Sequence, residues 1–133
     1  MTSCSLDRRI ALPPGEVWEL WTTPAGLATW WWPQLPDTSY EIEAGVGGRY
    51  RFESAAAGIG ATGEFTRVDR PHALDFSWIW LGGAGPAAPD TVRVRFSPDG
   101  DGTRIALTHE LAADTDPADL RQGWSDVLDR LAG

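Results

Sequence analysis

Hydrophobic positions along the chain fall into two periods, and the switch between them divides it into elements. Leu6, Ile10 and Leu12 alternate weakly with polar residues from Ser5 to Leu12, which predicts a first strand stopped by Pro13-Pro14-Gly15. Val17, Trp18, Leu20 and Trp21 then form one apolar stripe, a helix of about two turns with Pro14 in its first turn. Thr22-Thr23-Pro24 breaks that helix, and Ala25 to Trp30 allows another turn or two. From Ser39 the period becomes two. Tyr40 and Ile42, then Tyr50 and Phe52 beyond Gly45-Val46-Gly47-Gly48, carry a hairpin pattern. Ser54 to Ala61 reads as a flexible connection. Thr62 to Val68 reads as a strand whose Phe65 and Val68 fall on opposite faces, which suggests a bulge or burial at one end only. Leu74, Phe76, Trp78 and Trp80 share a face of the most apolar strand. Gly82 to Asp90 is a loop, and Val92, Val94, Phe96 and then Ile105, Leu107, His109, Leu111 alternate in two further strands. The period returns to helical at the end. Asp116 is placed to cap, Pro117 to open and Asp119 to face the positive end of a helix of about 24 Å whose stripe is Leu120, Trp124, Val127, Leu128 and Leu131.

These elements predict an α+β fold: a first strand, two short helices, six further antiparallel strands, and a C-terminal helix laid over one face of a curved sheet. Thr29-Trp30-Trp31-Trp32-Pro33 does not fit either period. Successive residues of a regular helix or strand cannot all point into one core, so at least one of the three rings is expected to face something else. Packing where the short helices meet the sheet, the rim of a cavity, and a contact with a partner or a second copy are the three placements open to it.

Composition narrows the function classes. The chain has 133 residues, and one domain spanning 1–133 is expected. Its formal charge is −8 and all eleven basic residues are arginine, so nucleic-acid binding is disfavoured and lysine Schiff-base or P-loop chemistry is excluded. One cysteine, Cys4, and two histidines, His72 and His109, leave no disulfide and no predicted metal site, and no cofactor is implied. The N-terminus lacks signal-peptide regions and no run of ~18 apolar residues occurs, so a cytoplasmic protein without a membrane span is expected. Arg49, Arg51, Arg93 and Arg95 lie opposite the aromatic face among Glu41, Glu43, Glu53 and Glu64, a solvated sheet face with a partner site as the minority alternative. Gly47-Gly48 meets a turn requirement, since no helix follows for a phosphate loop.

Several ordered motifs carry a family resemblance over nearly the whole chain. They are Arg9-Ile10 with Pro13 and Pro14 before Val17-Trp18, Trp31-Trp32-Pro33, Gly47-Gly48-Arg49-Tyr50-Arg51-Phe52, and Gly63-Glu64 before Val68 and Pro71. Phe76-Ser77-Trp78, Gly102-Thr103, His109-Glu110, and Gly123-Trp124 with Leu128 and Leu131 complete the set. Together they resemble the homologues of the activator of the 90-kilodalton heat-shock chaperone ATPase, a branch of the START-like, helix-grip (SRPBCC) superfamily. The resemblance implies a helix-grip fold and a cavity between the last helix and the sheet that takes small hydrophobic molecules.

Tyr50, Phe52, Phe76, Trp78, Trp80, Phe96 and Trp124 are the candidate lining, with Leu128 beside them, Trp31 and Trp32 at the rim, and His109 as the inward polar group. For any single ring plain core is the first reading and ligand lining the second, since seven large rings can fill a small cavity outright. A small-molecule binding or carrier protein is the first expectation, its cavity gated by the Ala55–Gly60 and Gly82–Pro89 loops. A chaperone-regulator-like interaction module ranks second, because eukaryotic activators of this type carry a second domain that this sequence does not show. A cyclase-type enzyme ranks third and would need His109 or a carboxylate in the cavity; no catalytic residue is assigned.

Overall fold

The computed structural model describes residues 2–35, 37–81, 88–112 and 116–132. In chain order its elements are β1 (Ser3–Ile10), α1 (Pro14–Thr22), α2 (Pro24–Leu27), β2 (Ser39–Ile42), β3 (Arg49–Ser54), β4 (Ile59–Asp69), β5 (Ala73–Trp80), β6 (Asp90–Asp99), β7 (Gly102–Glu110) and α3 (Ala118–Ala132). The seven strands form one sheet in the order β1-β7-β6-β5-β4-β3-β2, every pair antiparallel. The period-two pattern explains which face is covered. Leu74, Phe76 and Trp78 of β5, Val92, Val94 and Phe96 of β6, and Ile105, Leu107 and His109 of β7 are buried, while the residues between them reach solvent to varying degrees. On the wet face Arg93 pairs with Glu110, Arg95 with Asp75 and Arg104 with Asp7, so most of its charge is neutralised within the sheet.

The register of β4 shifts between Phe65 and Arg67, the bulge that the misplaced Phe65 and Val68 call for. Segment 54–61 differs from the expected flexible connection: a turn closed by Gly58 N–H to the Ser54 carbonyl (2.9 Å) leads straight into β4 at Ile59. Asp37 explains the difference. Its carboxylate accepts from Ala56 N (2.7 Å) and Ser54 Oγ (2.8 Å), contacts that local composition does not reveal. Gly63 sits opposite Tyr50 because nothing larger fits: a Cβ there would lie 1.9 Å from the Ser77 carbonyl oxygen, to which Tyr50 Oη donates at 2.6 Å. Burial of that phenol pushes its pKa well above the ordinary tyrosine value.

Helix α3 lies across the covered face and buries Trp124, Val127, Leu128 and Leu131. Asp116 Oδ1 accepts from Ala118 N at 3.0 Å, so the helix starts one residue later than Pro117 suggests. Polar ties hold it along β1, where Arg8 donates to Asp129 (2.8 Å) and Ser125 (2.8 Å), and Arg121 donates to the Ser5 carbonyl (3.0 Å). Helix α1 packs Trp18 edge-on against Phe96, and Trp21 lies between Phe96 and Trp124. Thr23 joins the two short helices, donating to Glu19 O and accepting from Gly26 N.

All three rings of the tryptophan triplet are buried, and all three belong to one apolar cluster. The expectation that one would miss the core assumed a regular segment. The chain here is neither helix nor strand, and Trp32 has φ 53°, a left-handed conformation uncommon for a bulky residue. That turn folds the third ring back beside the first two. Trp30 donates its Nε1–H to the Leu20 carbonyl at 2.9 Å, and Trp31 packs against Phe52, Trp78 and Trp124. Trp32 is the outermost of the three, 8% exposed, against Trp80.

Candidate functional site

Helix α3 is tied along β1 beside a polar opening bordered by Arg8, Arg121 and Ser125, and on its other side an apolar space faces β5. A groove of about 380 Å³ lies there, lined by Trp78 and Trp80 of β5, Trp31 and Trp32 from the turn, and Asp119, Leu120, Gly123, Trp124 and Val127 of α3. Five of the chain's eight tryptophans border it. Each ring is set by a different local cause. Alternation along β5 carries Trp78 inward and leaves Trp80, at the strand end, 43% exposed. Helical spacing brings Asp119, Gly123 and Val127 along one line of α3, one turn apart. The left-handed backbone at Trp32 sets its ring at 87° to Trp80, with centroids 6.0 Å apart. The walls are thus apolar and flat, with Asp119 the one charged side chain among them.

A second, inner space lies deeper, among Trp21, Trp30, Tyr50, Phe52, Phe76 and other apolar residues, and Trp31, Trp78 and Trp124 wall it as well. Its volume is about 20 Å³, room for roughly one water molecule. The aromatic side chains therefore nearly fill the interior between sheet and helix. The indole N–H groups of Trp21 and Trp31 are buried without a hydrogen-bond acceptor among the described residues.

His109 borders neither space. It is fully buried, with Nδ1 2.9 Å from Trp124 Nε1 and Nε2 2.8 Å from Asp90 Oδ2. An indole nitrogen can only donate, so Nδ1 must present its lone pair and the proton of the neutral ring sits on Nε2, donated to Asp90. Asp90 Oδ1 in turn accepts from Ala112 N at 2.9 Å. Burial lowers the His109 pKa below the ordinary 6.5, and the neighbouring Asp90 opposes that shift. Both ring nitrogens are engaged, which gives this histidine a positioning role toward the groove wall Trp124.

Of the eleven residues the sequence singles out, Trp31, Trp32, Trp78, Trp80 and Trp124 meet at the groove. Tyr50, Phe52 and Phe76 border the inner space only, and Phe96, Leu128 and His109 border neither. The Ala55–Gly60 segment lines neither space, and 82–87 of the second expected gate lies outside the described residues. Sequence reasoning missed Asp119, Leu120, Gly123 and Val127 as groove residues. Their shared spacing with Trp124 on one side of α3 was the available signal. It also missed Asp90, which has none, since only strand register sets it opposite Trp78 and, two residues along β6 from Val92, on the same face as the Val92–His109 pair. Among the described residues no cluster of three or more His, Cys, Asp or Glu could hold a metal ion. None of the described helices is long and apolar enough to cross a membrane.

A seven-stranded antiparallel sheet gripping a C-terminal helix, with two short helices after the first strand, defines the helix-grip, START-like class. The model of the family described as Activator of Hsp90 ATPase homolog 1-like protein matches residues 11–133, and the chain belongs to that family. Among solved structures, CalU16 from Micromonospora echinospora is 26% identical, with a TM-score of 0.75 over 97% of this chain and 73% of that one. Protein CV1439 from Chromobacterium violaceum is 23% identical, with a TM-score of 0.79 over 98% of this chain and 94% of that one. PFC0360w, an HSP90 activator from Plasmodium falciparum, is 21% identical, with a TM-score of 0.76 over 98% and 94%. No curated protein sequence matches the chain.

Proposed function

We propose that the protein binds a small, ring-bearing apolar molecule in the groove between α3 and β5, as a binding or carrier protein. The observation that carries this is the groove itself, about 380 Å³ walled by five indoles, one of them 43% exposed. A volume of that size suits a small organic ligand, and flat aromatic walls favour planar or apolar ones. The START-like fold and the family membership support the same reading. Binding at the groove needs no rearrangement of the packed interior. The inner space of about 20 Å³ would admit such a molecule only after several rings moved.

Titration with N-phenyl-1-naphthylamine, a neutral fluorophore that brightens in apolar surroundings, tests the proposal. Saturable one-to-one binding is expected, weakened about tenfold by Trp80→Ala, the loss of one aromatic wall. Absence of saturation, or an unchanged Trp80→Ala titration, overturns it. Chaperone regulation is the second reading, favoured by the family and by the likeness to the Plasmodium activator. Stimulation of a 90-kilodalton chaperone's ATPase by this chain would put it first.

A further inference from the structure

We infer that the ligand of the tryptophan groove is an organic cation, a substituted ammonium group carried on an apolar body. The inference rests on reading the groove as a ligand site and adds the charge of what it holds. Indole is the aromatic ring that attracts a cation most strongly over its face, and desolvation strengthens the attraction. Trp32 and Trp80 meet at 87° with centroids 6.0 Å apart, a corner in which an ammonium group can lie against two rings at once. Trp31 and Trp32 (5.5 Å, 42°) continue the aromatic surface inward from that corner.

Asp119 supplies the complementary charge. Its side chain has no hydrogen-bond or ion-pair partner among the described residues, and no arginine lines the groove although the chain contains eleven basic residues. A neutral ligand filling the groove would take this carboxylate partly out of water with nothing in return, and an anion would be repelled. A cation offsets that desolvation. Gly123, one helical turn on, leaves the space above Asp119 open: a Cβ there would meet nothing within 4 Å. The net charge of −8 adds a long-range attraction for cations. Asp119 also sits in the first turn of α3, whose positive end already stabilises it, so the preference for cations is several-fold in size.

Choline and its uncharged carbon isostere 3,3-dimethylbutan-1-ol have the same shape and differ in charge, and the indole N–H resonances of Trp32 and Trp80 report the binding of each. Choline is expected to bind about fivefold more tightly than the isostere. Asp119→Asn is expected to remove most of that gap by weakening choline, with the isostere bound no less tightly because the carboxylate's desolvation is gone, and Asp119 is exposed, so the variant keeps the fold. Equal binding of the two probes, or a gap that survives in Asp119→Asn, overturns the cation inference and leaves the groove a ligand site. No response to either probe overturns both.

Discussion

Trp124 and His109 are joined by a buried hydrogen bond, indole Nε1 to imidazole Nδ1 at 2.9 Å, that fastens α3 to β7, one strand in from the edge strand β1. Their partner Asp90 carries the chain of contacts on to Ala112, next to the segment that leads into the helix. The groove wall is therefore positioned by a polar relay inside an otherwise aromatic core.

Removing the donor should be costly because it strands a buried acceptor. Trp124→Phe is expected to lose about 1–3 kcal/mol from the unpaired Nδ1, beyond the loss of ring contacts. Urea unfolding of Trp124→Phe, His109→Leu and the double variant separates the two effects. The double-mutant cycle should show a coupling of about 1–3 kcal/mol; independent, additive losses would mean that the bond contributes nothing.

The same relay gives stability a pH dependence of defined sign. The folded His109 pKa lies below its ordinary 6.5, so below pH 6.5 the unfolded chain binds a proton that the native protein does not. The contribution is complete above pH 6.5 and is lost as pH falls toward the folded pKa, at a slope of up to about 1.4 kcal/mol per pH unit. Denaturation between pH 5 and 8 should show this decline in the wild type and not in His109→Leu.

Trp32 is held at φ 53°, where a Cβ costs about 1–2 kcal/mol. Trp32→Gly should therefore be more stable than Trp32→Ala by about 1 kcal/mol, although glycine buries less and usually loses to alanine. Thermal unfolding of the two variants decides. The reverse order would show that the turn can relax away from the left-handed region.

Gly123 separates the groove from the fold. Its Cβ position is open, so Gly123→Ala should raise stability by about 0.5–1 kcal/mol through helix propensity. Gly123→Leu should keep the fold and place a side chain in the groove, abolishing the binding of N-phenyl-1-naphthylamine. Undiminished binding by a stable Gly123→Leu protein would place the ligand elsewhere.

Elements with a single clean period were legible in the sequence: the β5, β6 and β7 alternation, and the α3 stripe from Trp124 to Leu131. Phe65 and Val68 even betrayed the bulge in β4. What local pattern could not show was backbone outside the two regular geometries, hence the burial of all three rings at Trp30–Trp32. Nor could it show partners brought together by register. Asp90 meets His109 only because Trp78 pairs with Asp90 and Val92 with His109 in adjacent ladders. Asp119 was legible as a residue for the helix end but not as a groove wall, since that depends on which way α3 is tied across the sheet. The inner aromatic set was correctly placed on one face, yet alternation carries no information on whether seven rings enclose space or consume it.

The indole N–H spectrum tests the central claim most directly, because the eight tryptophans divide by location: Trp31, Trp32, Trp78, Trp80 and Trp124 at the groove, and Trp18, Trp21 and Trp30 away from it. Titration of the ¹⁵N-labelled protein with a ring-bearing ammonium such as benzyltrimethylammonium should move groove signals saturably, Trp32 and Trp80 most, and leave the other three in place. Shifts led by Trp21 and Trp30 would mean that the packed interior opens instead, and no saturable shift would mean that the groove binds no such molecule.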